Sequence, residues 1–76
     1  YGLTAYQMNF LKALANGTNA NFGSKTVLNL YDLGSKSNVS KIKSVLTQKE
    51  LIESSPAGIV FADPVFQLWF TKEWCK

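Results

Sequence analysis

The residues of this 76-residue chain best equipped for chemistry are lysines and hydroxyls gathered on one stretch. Lys36, Lys41, Lys43 and Lys49 are half of the eight lysines, and no acidic residue falls between Ser35 and Gln48. Ser37, Ser40, Ser44 and Thr47 are interleaved with them. Ammonium groups attract phosphate oxygens and displace their counterions, while hydroxyls donate to phosphates or pair with either base edge. That is binding chemistry for a polyanion, and Lys36, Ser37, Ser40, Lys41, Lys43 and Ser44 are the candidate nucleic-acid contacts. The competing reading is an ordinary solvated helix face.

Catalysis has little to build on. All the basic residues are lysine, and histidine is absent. There is therefore no imidazole base and no Ser/His or Cys/His nucleophile pair. There is also no arginine fork for a phosphate or a guanine edge. The five acids, Asp32, Glu50, Glu53, Asp63 and Glu73, lie on different elements and fit turns, caps and solvated faces. Gly17, Gly23, Gly34 and Gly58 stand singly and form no phosphate-cradling loop. With no histidine and only Cys75, no zinc site is expected. The expectation is a fragment with no catalytic, metal or cofactor-binding residues of its own.

The elements that must position the lysines follow from periodicity and caps. Thr4 and Gln7 have capping-box spacing, with Leu3 and Met8 placed as a staple. Tyr6, Phe10, Ala13 and Leu14 recur at helical spacing and Gly17 is a left-handed cap, giving a first helix. Asn16 to Asn21 is a loop, followed by Phe22 as a very short strand. Ser24 caps a second helix with Val27, Leu28 and Tyr31 on its apolar face. After Asp32-Leu33-Gly34, Ser35 or Ser37 caps a third helix, with Val39, Ile42, Val45 and Leu46 inward. Two short helices joined through a glycine-containing turn are a helix-turn-helix. On about 100° per residue, Ser37, Ser40, Lys41 and Ser44 point outward, flanked by Lys36, Lys43 and Thr47.

Beyond Glu50 the pattern changes to strands. Leu51-Ile52-Glu53 and Ile59-Val60-Phe61 flank a turn cluster from Ser54 to Gly58 that holds no basic residue. Asp63-Pro64 then reads as an N-cap with proline at the first helical position. The last helix runs from Pro64 towards Trp74. The fold class is mainly α with a small β-hairpin, a winged helix-turn-helix with an extra C-terminal helix, in one domain over 1–76.

The last helix is apolar over more than a one-sided stripe. Val65, Leu68 and Trp69 occupy one side, and Phe66, Phe70 and Trp74 a neighbouring one. One stripe is expected to pack on the core, and the other to be buried too or to serve docking or self-association. Phe66, Phe70 and Trp74 are the candidate interaction surface, of which at least one is expected to leave an aromatic patch uncovered.

Asp63-Pro64-Val65-Phe66-Gln67-Leu68-Trp69-Phe70 resembles the segment closing the winged-helix domain of prokaryotic AAA-type ATPases, the archaeal-type ATPases. Leu3-Thr4-Ala5-Tyr6-Gln7 and Asn38-Val39-Ser40-Lys41-Ile42 are similar to that domain too, so the resemblance covers nearly the whole chain. It implies a preceding ATPase domain in the parent protein as a partner, with ATP and magnesium bound there and not here. The start at Tyr1 reads as a piece cut from such a longer chain. A chain without internal disulfides suggests a reducing, cytoplasmic setting, with Cys75 a bland terminal thiol. The longest apolar run, Ile59 to Ala62, is far short of the roughly 20 residues needed to cross a membrane.

Two function classes remain. One is a winged-helix accessory domain binding duplex DNA through its third helix. The other is a protein-interaction or regulatory module that docks through its aromatic last helix.

Overall fold

The first helix carries its start and stop signals in its own residues. In the structure, a computed structural model that describes residues 2–18 and 20–74, α1 spans Ala5–Ala15. Thr4 Oγ1 accepts from the Gln7 N–H at 3.2 Å, and Gln7 Oε1 accepts from the Thr4 N–H at 3.0 Å. These reciprocal bonds satisfy two of the orphan donors at the helix start. At the other end Gly17 takes φ 100°, and the N–H groups of Gly17 and Thr18 close onto the carbonyls of Leu14 and Ala13. That is the paired geometry of a Schellman cap.

α1 is the pillar of the fold, packing on α2 (Lys25–Tyr31), α3 (Lys36–Gln48), α4 (Pro64–Trp74) and the second hairpin strand. Its Phe10, Leu11, Ala13 and Leu14 are buried, whereas Tyr6, expected inside, is 45% exposed. Leu11 takes the inward position instead. Phe22 belongs to no strand; its ring stacks on Phe10 with centroids 4.2 Å apart, which pins the loop before α2 to α1. Burying each such ring is worth about 1.5–3 kcal/mol.

The turn between α2 and α3 is built by three residues with different duties. Asp32 adopts a left-handed conformation (φ 54°), which Asp tolerates better than most residues. Leu33 is fully buried and anchors the turn in the core. Gly34, at φ 83°, stands where an added Cβ would lie 3.1 Å from Asn38 Nδ2. Asn38 uses that amide to donate to the Leu33 carbonyl at 2.8 Å, and Asn9 on α1 donates to the Asp32 carbonyl at 3.3 Å. Ser35, not Ser37, caps α3 by accepting from the Asn38 N–H.

The hairpin is tighter than its sequence pattern suggests. β1 (Ile52–Ser55) pairs antiparallel with β2 (Gly58–Phe61), so Ser54, Ser55 and Gly58, expected in the turn, are strand residues. Only Pro56 and Ala57 connect them. Proline holds φ at about −65°, unlike the positive-φ first residue of the favoured two-residue hairpin turns. Gly58 supplies the positive φ instead, at 123°. Ser55 Oγ closes the turn, donating to the Gly58 carbonyl and accepting from the Ala57 N–H.

α4 starts as its residues predict, with Asp63 Oδ1 accepting from the N–H groups of Val65 and Phe66. The face it buries departs from expectation. Phe66 and Phe70 are completely buried and pack around Phe61, with centroids 5.8–6.4 Å apart. They belong to the core and are not an interaction surface, and of the three candidates only Trp74, at 46%, is exposed. Flat rings one turn apart fill the space over β2 better than Val65 and Leu68, which remain 74% and 71% exposed. The core contains no buried polar side chain among the described residues. Cys75 lies outside the described residues.

Candidate nucleic-acid interface

α3 presents its polar residues because its apolar ones are spoken for. Val39, Ile42 and Leu46 are buried and Val45 is half-buried, which fixes the rotation of the helix on α1 and β1. Lys36, Ser37, Ser40, Lys41, Lys43 and Ser44 are all exposed. At about 100° per residue, Ser37 and Ser44 point directly away from the core. Lys36, Ser40 and Lys43 lie along one flank, and Lys41 lies on the other. The lysines therefore border a hydroxyl-bearing centre and do not form one stripe.

The flank with two lysines faces a depression absent from any linear reading of the sequence. Lys36, Ser40 and Lys43 line a groove of about 460 Å³ with Asn21, Gly23 and Ser24 from the loop before α2. A second groove, of about 410 Å³, continues from Lys43 towards Ser54, Ser55 and Gly58 on the hairpin. Both share Asn21, Gly23, Val39 and Lys43, so they form one trough along α3. Gly23 helps to shape it: a Cβ there would sit 3.2 Å from Lys36 Cγ, so its absence makes room for the lysine stem. The loop side of the trough is held in place by Phe22, buried against Phe10.

Electrostatically the two ends of α3 differ. No carboxylate lines the trough, whereas Glu50, Glu53 and Asp63 line a groove of about 530 Å³ beyond the helix C-terminus. In the sequence these acids belong to a helix end, a strand and a cap, and no spacing signal brings them together. Among the described residues no group of three or more His, Cys, Asp or Glu could hold a metal ion. The hairpin turn, Pro56 and Ala57, is exposed and uncharged. Among the described residues no helix is long and apolar enough to cross a membrane.

This arrangement can neutralise phosphates and offer hydroxyls to a groove floor, and it lacks the guanidinium forks that read guanine. Neither the curated proteins nor the solved structures return a match to the chain. A family model described as "Probable winged helix domain" matches residues 1–72. With its helix-turn-helix, its hairpin and this match over all but the last four residues, the chain belongs to the probable winged helix domain family.

Proposed function

We propose that this chain is a non-catalytic winged-helix domain that binds duplex DNA through α3, chiefly by lysine–phosphate contacts. The observation that carries this reading is the exposure of all six candidate residues on the outer side of the helix that follows the helix-turn-helix turn. Affinity then comes mainly from counterion release, with little base discrimination, because serine and lysine supply the contacts and the hairpin turn is uncharged.

The test is a salt titration of binding to a labelled duplex by fluorescence anisotropy. Three phosphate contacts give a slope of about −2.7 in log K against log salt, or roughly a 40-fold loss of affinity between 50 and 200 mM. The K36Q/K41Q/K43Q variant should lose about 0.9 of slope per contact removed. Absence of duplex binding at low salt would refute the reading.

A second reading, docking onto another protein domain, is favoured by one observation: the apolar Val65 and Leu68 on α4 are both more than two-thirds exposed. The resemblance to archaeal-type ATPases supports a parent in which that neighbour is an ATPase domain carrying ATP and magnesium. Pull-down of the chain by such a domain, lost on L68S substitution, is its test.

A further inference from the structure

We propose that the trough between α3, the loop before α2 and the hairpin seats the sugar–phosphate backbone of one strand of a DNA duplex, with Lys36 and Lys43 as its anchoring cations. This rests on the reading of α3 as a duplex-binding helix and adds which side of it takes the backbone. Lys36 and Lys43 are seven residues apart, about 10.5 Å along the helix, far enough for their ammonium groups to engage separate phosphates of one strand. Both line the trough, whereas Lys41 lies across the helix from it and is left to the opposite strand. Ser24 Oγ accepts from the Val27 N–H, which leaves its hydroxyl hydrogen free to donate to an acceptor such as a phosphate oxygen.

Three further features suit a duplex backbone. The lining contains no carboxylate, so a polyanion meets no repulsion until the Glu50, Glu53 and Asp63 end of α3. Its one aromatic, Phe22, is only 4% exposed, so no base can stack as in single-strand binding. Gly23 lets the Lys36 stem lie against the loop, which directs this lysine along the trough.

Asn21 is the best position to test this. It lines both parts of the trough and has φ 60°, a conformation that Asp shares readily, so Asn21→Asp places a carboxylate there without disturbing the loop. Gln67→Glu on α4 makes the same change in net charge away from the trough and serves as control, and Ser54→Glu probes the hairpin end. Binding is measured on a 20-base-pair duplex and on the matching single strand, with the full chain at low salt. Asn21→Asp and Ser54→Glu should each weaken duplex binding about fivefold more than Gln67→Glu, the effect of one unit charge about 4 Å from a phosphate in water. Equal losses in all three variants would overturn the trough and leave the proposed function standing. Tighter binding of the single strand would overturn it also. No binding of the unaltered chain to the duplex would remove both.

Discussion

Glu50 sits in the left-handed region, at φ 60°, where a side chain with a Cβ is strained. The N–H groups of Glu50 and Leu51 bond to the carbonyls of Thr47 and Leu46, so Glu50 occupies the position that closes α3 and is most often glycine. Its side chain is exposed. Glu50→Gly therefore removes a conformational penalty of about 1–2 kcal/mol. It also frees the unfolded chain, which costs about 0.4–1 kcal/mol. The net expectation is a gain of about 0.5–1 kcal/mol, or a Tm increase of roughly 2–8 °C for a domain of this size.

The comparison must separate backbone relief from charge, because Glu50 shares a groove with Glu53 and Asp63. Glu50→Ala removes the same charge and keeps the Cβ, so it should gain no more than a few tenths of a kcal/mol. Asp32→Gly relieves a residue at φ 54° that tolerates the region better, and it should be close to neutral. Thermal and urea unfolding followed by circular dichroism give all three values. A Glu50→Gly gain no larger than that of Glu50→Ala, or matched by Asp32→Gly, would refute the assignment of strain to Glu50.

Leu33→Ala should cost about 2–5 kcal/mol, since this turn residue is fully buried, and duplex binding should fall with it as α3 loses its anchor; urea denaturation measures the first. Phe70→Ala should cost about 3–5 kcal/mol while Leu68→Ala, 71% exposed, stays within about 0.5 kcal/mol. Similar losses from both would mean that α4 packs on its Leu68 side.

What could be read from the residues alone follows the range of the interactions involved. Thr4 with Gln7, Ser24, Ser35 and Asp63 act over three positions or fewer, and each cap forms as its spacing implies. The rotation of α3 was legible because its apolar positions form a single narrow stripe. α4 offered two apolar stripes, and the choice depended on Phe61, which reaches the helix only once the hairpin is paired. Ser54 and Ser55 look like turn residues and suggest a wider hairpin turn, whereas Pro56 with a positive-φ Gly58 makes a two-residue connection sufficient. The trough was invisible for a different reason: Asn21 and Lys43 line one groove across the fold, on a loop that Phe22 holds by stacking on Phe10 and on α3 respectively.

That stacking ties the candidate site to the stability of the domain. Phe22 is held by Phe10 on α1, and α1 also carries α3 and holds the α2–α3 turn through Asn9. Both walls of the trough are thus referred to one helix, so their separation is set by the core and not by a mobile loop. A carboxylate-free channel with core-anchored walls suits a partner whose backbone has a regular repeat whatever its bases. The centre of α3 points the same way, since serine hydroxyls such as those of Ser37 and Ser44 suit either base edge and no arginine is present to prefer guanine. Position on a duplex would then be chosen by a second contact, and the exposed Val65 and Leu68 of α4 lie on a separate element from the trough, where another domain could supply it.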